Sequence, residues 1–418
     1  MNLNLRKALR NTPLLASTAL LLFGCGSPQK EALNRFETRT HRAVLHISDS
    51  LDLPFEVAWE IGTDTVLYVI NGGERIRVEE IHNEGDTLVV HMPVFPTYFR
   101  LGPGETGWKG HWYDPDRGAE YRIPVSFQTD VYRRFPLGAE PGYSLNHRWA
   151  VVFDPLGAKP GKGLGEFRQD SGVVQGSILT ESGDYRYLTG ALDGDRLELS
   201  TFDGTHAYLF RARIRATDLI QGHFYSGNHH SKPFEARRDD GFELGNPDSL
   251  SQVMADEFAF AFPRLDGTLM DHNDAQLAGK VRIVQILGSW CPNCMDETRF
   301  FNELHQRYSA QGLEIVGIAF ERSDEMAKAR PALEKMIHDL EVPYPILFAG
   351  STAQIAEKLP QIQPFRGYPT SVFIDAQGRI RKVHAGFSGP GTSRYADYTQ
   401  STDALVRQLL SEIPASAP

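Results

Sequence analysis

The sequence predicts a multidomain protein in which an N-terminal all-β antiparallel domain, closed as a barrel or a sandwich, precedes a C-terminal α/β domain. From residue 41 to 238, short runs of alternating apolar residues are separated by glycine- and aspartate-containing turns at intervals of about ten residues. From residue 254 to 413, apolar strand patterns alternate with helical patterns, which is typical of an α/β sandwich. A chain of 418 residues is long enough for two or three domains.

The first 24 residues have the pattern of a bacterial signal peptide. Basic residues precede an apolar run, 14–23, that is too short to remain as a membrane-spanning helix. The run ends in Leu22-Phe-Gly-Cys25, which resembles a lipobox, and this resemblance implies cleavage before Cys25 and lipid attachment to its sulfur. An ordinary secretory signal is the alternative. Because glycine, and not aspartate, follows Cys25, we expect a lipid-anchored, periplasm-facing protein of the bacterial cell envelope, in the outer membrane and not the inner.

Residues 25–40 are polar and are expected to form a tether ahead of the β domain. Within that domain, the Asn-Gly pair at 71–72 lies between two strand patterns and favours a hairpin. A further strand is predicted over 185–190. The polar and aromatic segments 184–187 and 202–206 fit either a ligand-facing surface or cross-strand packing. We therefore assign no chemical role to the β domain from its sequence.

Charge and cysteine content narrow the functional classes. The formal net charge of −10 disfavours nucleic acid or an anionic membrane surface as a partner. The chain has three cysteines, so once Cys25 is assigned to the lipid anchor, Cys291 and Cys294 remain. A secreted protein with no other cysteines has no structural disulfide that competes for this pair, and we expect the pair to be functional.

The most informative stretch is 281–294, which combines a buried strand, a turn and two thiols. The β-branched run 281–287 ends at glycine and serine, and Pro292 occupies the first position of a helix, where its missing N–H costs nothing. Cys291 therefore lies at a helix N-terminus, where free N–H groups and the helix dipole favour a thiolate and lower the pKa of the thiol. Cys294 lies one turn further on, close enough to form a small disulfide.

Two motifs in this part of the chain resemble those of the thioredoxin superfamily. The first is Trp290-Cys-Pro-Asn-Cys294, and the second is Gly367-Tyr-Pro-Thr370, which opens a strand. Residues 254–413 most resemble the TlpA/ResA-type thiol–disulfide oxidoreductases, with AhpC/TSA-like redoxins as neighbours. The resemblance implies a thioredoxin-like fold for this domain.

The resemblance also implies roles for single residues. Pro369 corresponds to a cis-proline that packs against the dithiol, and we count it as part of the catalytic site. Trp290, Tyr368 and Thr370 are expected to contact substrate; the backbone at Tyr368 can pair with an extended chain. No metal or nucleotide cofactor is expected, because the cysteine pair carries the redox chemistry.

Glu297 is the candidate proton carrier. The family places an acidic residue three positions after the second cysteine, and Glu297 occupies that position. It is expected to accept or relay the proton of Cys294. The alternative is a carboxylate that only complements the helix dipole, which is all that Asp296 requires. Thioredoxin itself uses an aspartate six residues before the first cysteine, and here Gln285 occupies that position, so Glu297 is the better candidate.

The function implied by the resemblance is a thiol–disulfide oxidoreductase of the cell envelope, and a reductase of protein disulfides in preference to an oxidant. Cys291 attacks the substrate disulfide, and Cys294 resolves the mixed disulfide. The implied partners are disulfide-containing envelope proteins or small thiols, an upstream membrane electron donor, and the membrane through lipidated Cys25.

Other interpretations stay open. A thiol peroxidase of the AhpC/TSA kind typically has a P-x-x-x-T-x-x-C sequence, whereas 285–291 lacks both the proline and the threonine. A zinc site at the cysteine pair needs two further ligands, and the domain has no second cysteine pair or close histidine pair. A ligand- or partner-binding lipoprotein with an accessory redoxin domain is the alternative from outside the enzymes. The neighbouring histidines at 229–230 fit a solvated loop better than a metal site.

The remaining elements follow from periodicity and capping residues. Residue 323 is a candidate N-cap, and a linker is expected at 239–253. The predicted elements after the dithiol are a helix at 293–311, a strand at 313–320, a helix at 323–340, a strand at 344–348, a short helix at 352–359, a hairpin at 371–384 and a helix at 402–410.

Overall fold

The computed structural model describes residues 39–61, 65–105, 107–128, 131 and 133–413. The predicted signal peptide, Cys25 and most of the predicted tether therefore lie outside the described residues. The chain forms two compact units. Counting the described residues only, one unit contains those up to Pro93 together with Thr97–Pro136 and Phe202–Ala207, and the other contains Val94–Pro96, Leu137–Thr201 and those from Tyr208 onward.

The first unit contains an antiparallel sheet that has nine strands in the described residues, in the order β4-β3-β2-β1-β9-β8-β7-β6-β5. These strands are β1 (Arg39–Ser48), β2 (Leu51–Ile61), β3 (Thr65–Asn71), β4 (Glu74–Val78), β5 (Ile81–Glu84), β6 (Thr87–His91), β7 (Tyr98–Pro103), β8 (Gly107–Tyr113) and β9 (Arg122–Gln128). Aromatic rings form its core, and Phe202 packs 4.7 Å from Phe55 and 5.4 Å from Trp112 between ring centroids. The predicted hairpin at 71–72 joins β3 to β4.

A closed antiparallel barrel has all its strands in the fully described range 148–238, and apart from Phe202 and Ala207 these strands belong to the second unit. The strands are β10 (Arg148–Phe153), β11 (Gly161–Asp170), β12 (Val173–Leu179), β13 (Leu188–Asp193), β14 (Arg196–Phe202), β15 (Ala207–Ala216), β16 (Leu219–Ser226) and β17 (His230–Arg238). β17 closes the barrel by pairing with β10. The barrel core includes buried Trp149, Phe153, Phe210 and Phe224. The predicted all-β antiparallel fold is therefore confirmed, and it consists of two assemblies where the sequence suggested one.

One predicted strand in the barrel has the wrong start. The alternation at 185–190 predicts a strand, but β13 begins only at Leu188. Asp184 Oδ1 accepts a hydrogen bond from the Arg186 amide at 2.6 Å, and Arg186 adopts a positive φ of 62°. This local turn ends the pairing with β12, because a left-handed residue does not fit an extended strand.

The C-terminal part of the second unit is an α/β domain with the predicted thioredoxin-like fold. Its main sheet has the strand order β22-β21-β20-β23-β24 within the described range 247–413, with β20, β21 and β22 parallel and β23 and β24 antiparallel to their neighbours. The strands of this part are β18 (Ala261–Pro263), β19 (Leu269–Asp271), β20 (Val281–Leu287), β21 (Leu313–Glu321), β22 (Ile346–Ser351), β23 (Thr370–Ile374) and β24 (Ile380–Ala385). The helices are α1 (Pro247–Leu250), α2 (Pro292–Tyr308), α3 (Met326–Asp339), α4 (Ile355–Lys358) and α5 (Arg394–Ser411).

The central strand β20 explains why its sequence is continuously apolar. Ile283 belongs to the hydrophobic core that includes α2 and α5, whereas Val284 and Ile286 belong to the core on the opposite face. Both faces of the strand are therefore buried, as expected for a central strand with parallel neighbours.

Two helix boundaries differ from the sequence prediction. α3 begins at Met326 with Glu325 as its N-cap, and the Ser323 hydroxyl instead accepts a hydrogen bond from the Glu325 amide at 3.2 Å. α5 begins at Arg394, eight residues before the predicted start at 402, so that Tyr398 lies on its buried face. In the part of the chain that the structure describes, none of the helices has the length and apolar character needed to cross a bilayer.

Candidate active site

The cysteine pair lies where strand β20 passes into helix α2. Cys291 is the N-cap of α2, and its Sγ accepts a hydrogen bond from the Cys294 amide at 3.2 Å. The two cysteines form a disulfide, with their Cα atoms 5.2 Å apart. Cys291 is 5% exposed and Cys294 is fully buried. Cys291 is thus the more exposed of the two, and a helix N-terminus stabilises negative charge on its sulfur.

Pro369 directly precedes β23, and its packing against the cysteine pair stays a prediction. The Tyr368–Pro369 peptide bond is cis, as the motif predicts. The carbonyl of Pro369 accepts a hydrogen bond from the Gly386 amide at 2.7 Å. Thr370 is fully buried, and its hydroxyl donates to the Gly367 carbonyl at 2.8 Å. In this structure Thr370 therefore supports the turn before Pro369, and its contact with substrate stays a prediction.

Trp290 and Tyr368 form an aromatic pair next to the dithiol. Their ring centroids are 5.3 Å apart in an edge-to-face arrangement. The Trp290 indole N–H donates to the Phe320 carbonyl at 3.0 Å, and the Arg322 guanidinium lies 5.3 Å from the Trp290 ring centroid. These contacts fix the orientation of the indole. Substrate contact by this half-buried pair stays a prediction.

Glu297 is fully buried one turn beyond Cys294 on helix α2. Its Oε1 accepts a hydrogen bond from the Tyr398 hydroxyl at 2.7 Å, and its Oε2 accepts from Ser371 Oγ and Gln285 Nε2, both at 3.0 Å. Burial raises the pKa of Glu297 to about 7, against the effect of these three donors, which stabilise the ionised form. A carboxyl with a pKa near neutrality can both accept and return a proton.

Gln285 connects Glu297 to the cysteine pair. Its side-chain amide donates to Glu297 and also to the Cys294 carbonyl at 3.3 Å. Its own carbonyl accepts from the Thr298 hydroxyl at 3.1 Å, so both ends of the amide are fixed. The neutral amide of Gln285 thus occupies the sequence position of the thioredoxin aspartate, and it donates a hydrogen bond to the carboxylate of Glu297.

Sequence reasoning missed two of the groups that bond to Glu297. Ser371 and Tyr398 lie 74 and 101 residues further along the chain, so no local pattern connects them to the dithiol. A usable signal for Tyr398 was the spacing of Tyr398, Thr402, Val406 and Leu409, which places them on one helical face. The predicted helix start at 402 excluded it.

The cysteine pair and the histidines at 229–230 are the candidate metal ligands that the sequence offers. Over the described ranges, the structure places no three histidine, cysteine, aspartate or glutamate side chains together in a way that could hold a metal ion. His229 lies in the turn before β17, and its Nε2 is 3.3 Å from the Ser226 hydroxyl.

Comparison with known proteins finds similarity in part of the chain. The family model described as Redoxin matches residues 255–399, in the C-terminal region. Among curated proteins, the thiol:disulfide interchange protein DsbE of Escherichia coli (strain K12) is 30% identical over 117 residues, which are 28% of this chain and 56% of that protein. The thiol-disulfide oxidoreductase ResA of Bacillus cereus is 25% identical over 121 residues, 29% of this chain and 62% of that protein.

These similarities cover only part of this chain and part of each relative. The chain spans 56% of the DsbE relative's length and 62% of the ResA relative's length. Among solved structures, a putative thiol:disulfide interchange protein DsbE from Chlorobium tepidum has a TM-score of 0.30 and 22% identity, covering 38% of this chain and 98% of that one.

Proposed function

We propose that this protein is a thiol–disulfide oxidoreductase of the cell envelope that acts through Cys291 and Cys294. The observation that carries the proposal is the arrangement of the pair. A slightly exposed Cys291 caps a helix, a buried Cys294 follows one turn later, and a buried carboxyl, Glu297, follows after one more turn. The names of the relatives support the same class of reaction.

Reduction of a substrate proceeds in two exchange steps. The Cys291 thiolate attacks one sulfur of the substrate disulfide, forming a mixed disulfide and releasing the other substrate sulfur as a thiolate. The Cys294 thiolate then attacks the Cys291 sulfur, forming the Cys291–Cys294 disulfide and releasing the second substrate sulfur. Two electrons pass to the substrate, and the two cysteine protons end on its two thiols.

Glu297 serves the second step, in which buried Cys294 must lose its proton. The carboxylate accepts that proton directly or through an intervening water, and its pKa of about 7 suits transfer in both directions. The donors Tyr398, Ser371 and Gln285 hold the carboxylate in place during the transfer.

The direction we propose is reduction of disulfides in envelope proteins or small molecules. The oxidised pair must then be reduced again by a dithiol donor at the membrane. We also propose that the protein is anchored in the outer membrane through lipidated Cys25. This part of the proposal is based on the N-terminal sequence alone. The roles of Pro369, Trp290, Tyr368 and Thr370 in substrate binding belong to the same proposal.

A single-turnover assay tests this function against the peroxidase alternative. The full chain is reduced with dithiothreitol, freed of excess reductant, and mixed with equimolar glutathione disulfide or hydrogen peroxide. We expect the Trp290 fluorescence change that reports oxidation to be about tenfold faster with the disulfide, because the pair is arranged for thiol exchange. Faster oxidation by peroxide would favour the thiol peroxidase, and no oxidation by either reagent would contradict both enzymes.

A further inference from the structure

A segment of the barrel reaches the dithiol site. Residues 180–187, here named the barrel strap, connect β12 to β13, and both the strap and the redox site lie in the same compact unit. Residues 185–187 of the strap were expected to begin a barrel strand, yet the polar side chains of the strap contact the start of helix α2. The direct bond of the strap to the Cys-Pro-Asn-Cys motif joins Asn293 to Asp184.

Asp184 makes the central contact of the strap. Its Oδ2 accepts a hydrogen bond from Nδ2 of Asn293, the residue before Cys294, at 3.0 Å. The same oxygen accepts from the Gly389 amide at 2.6 Å. Asn293 Nδ2 also donates to the Phe387 carbonyl at 3.1 Å, so the strap and the loop after β24 are tied together at the motif.

The strap backbone lies directly against the chain beside Pro369. A Cβ atom at Gly386 would lie 2.7 Å from the Glu181 carbonyl oxygen and 2.8 Å from Ser182 Cα, so only glycine fits this approach. A Cβ atom at Gly367 would lie 3.1 Å from Ser182 Cβ. The strap thus contacts Gly367, two residues before Pro369, and also Gly386, whose amide donates to the Pro369 carbonyl.

The strap is fixed at its barrel end as well. Side chains alternate along it, so Tyr185 points into the barrel while Asp184 and Arg186 point towards the redox domain. The Tyr185 ring lies 5.0 Å from Phe224 and 5.2 Å from Phe153 between centroids. The Arg186 guanidinium forms a buried ion pair with Asp296 on helix α2. The strap is therefore held by a buried ring on one side and a buried ion pair on the other. Moving it away would expose the ring and the ion pair to water, so the strap forms a rigid steric barrier, here called the wall.

The covered position matters because Gly367 precedes Tyr368, whose ring packs 5.3 Å from that of Trp290 next to Cys291. An extended polypeptide binds by pairing its backbone with backbone of this kind. A chain that approached Cys291 along residues 367–369 would meet Ser182, because a Cβ atom at Gly367 would already lie 3.1 Å from Ser182 Cβ. The edge of β24 is covered separately, since Asp248 of α1 bonds to Lys382 and His384.

We propose that the barrel strap determines the specificity of the dithiol site. By this proposal the strap disfavours disulfides carried on extended protein chains relative to small disulfides. The inference rests on the proposed function and adds to it a selection against one substrate class by steric exclusion. Asp184 and Arg186 act here as positioning residues for the wall.

The test compares two disulfides on one set of variants. Rates of Cys291 oxidation are measured with insulin and with glutathione disulfide in the wild-type chain and in Asp184→Ala/Arg186→Gln, which removes the bonds to Asn293 and Asp296. We expect the ratio of the insulin rate to the glutathione disulfide rate to rise about tenfold in the double variant, equivalent to ~1.4 kcal/mol of discrimination. Arg186→Gln alone should move the ratio in the same direction and carries the test if the double variant does not fold.

Asp195→Ala is the matched control, because it removes an exposed barrel ion pair with Arg213 at 2.7 Å and leaves the strap intact. Its ratio should equal that of the wild type. A ratio that is unchanged in the folded strap variants would overturn the proposed wall while leaving the redox function standing. A wild-type chain that oxidises with neither disulfide would instead contradict the proposed function itself.

Discussion

Replacement of Cys291 by serine is expected to lower the rate of disulfide reduction by about a thousandfold or more, because a serine hydroxyl cannot attack a disulfide or form a mixed disulfide. Cys294→Ser should behave differently. Its Cys291 still attacks, but no second thiol resolves the product, so a mixed disulfide accumulates. Both outcomes are measured by insulin reduction in the presence of dithiothreitol, and by mass spectrometry of the acid-quenched protein.

The control for these variants is again Asp195→Ala, whose exposed ion pair is remote in sequence from the motif. It should reduce insulin at the wild-type rate. Retention of activity in Cys291→Ser, or a mixed disulfide that forms on Cys294 and not on Cys291, would contradict the assignment of attacking and resolving cysteines. The 5% exposure of Cys291 and the complete burial of Cys294 are the reason for the order proposed here.

Glu297→Gln is expected to remove a distinct pH dependence of stability. The pKa of Glu297 is raised to about 7 by burial, so the folded oxidised protein binds one proton more than the unfolded chain between the ordinary glutamate pKa of 4.5 and about pH 7. The stabilisation from this proton is complete below pH 4.5 and is lost as the pH rises through 7. The loss corresponds to about 3 kcal/mol in the free energy of unfolding.

The measurement is the free energy of unfolding from denaturant titrations between pH 4 and pH 8. The difference between wild type and Glu297→Gln isolates this one group from the others that titrate. Tyr398→Phe is the informative comparison, because it removes a donor to the carboxylate and should move the loss of stability to higher pH. Parallel pH curves for wild type and Glu297→Gln would show that the buried carboxyl is not protonated near neutrality.

The same substitution tests the proposed catalytic role. Glu297→Gln should slow disulfide exchange by about a hundredfold, with the loss greatest above pH 7, where the wild-type carboxylate is ionised and can accept the Cys294 proton. In Cys294→Ser the step served by Glu297 does not occur, so adding Glu297→Gln should leave mixed-disulfide formation unchanged. A loss of equal size in both backgrounds would assign Glu297 to the first attack.

The sequence was sufficient for the parts of this structure that depend on neighbouring residues. The β-branched run 281–287, the turn after it and Pro292 predict a strand, a loop and a helix start, and the structure has all three. The alternating runs of the N-terminal region predict an antiparallel all-β fold, and this is confirmed. The spacing of apolar residues and the positions of glycine and proline predict such elements, because strands, turns and helix starts arise from local backbone geometry.

What the sequence did not provide depends on contacts between distant residues. The β region divides into a nine-stranded sheet and a closed barrel in the described residues, and the alternation of apolar residues is the same in both. The barrel strap resembled a strand because Tyr185 and Tyr187 alternate with polar residues, although Asp184 and Arg186 bond to Asn293 and Asp296. Tertiary contacts override local preference at this position.

The reduction potential of the Cys291–Cys294 pair is the most direct test of the account. The full chain is equilibrated in glutathione redox buffers, and the fraction of disulfide is followed by Trp290 fluorescence and by alkylation of free thiols. We expect a reversible two-electron couple near or below about −250 mV, the range of disulfide reductases. A reversible couple above about −150 mV would reverse the proposed direction of electron flow. The absence of any reversible couple would contradict thiol–disulfide exchange as the function of this protein.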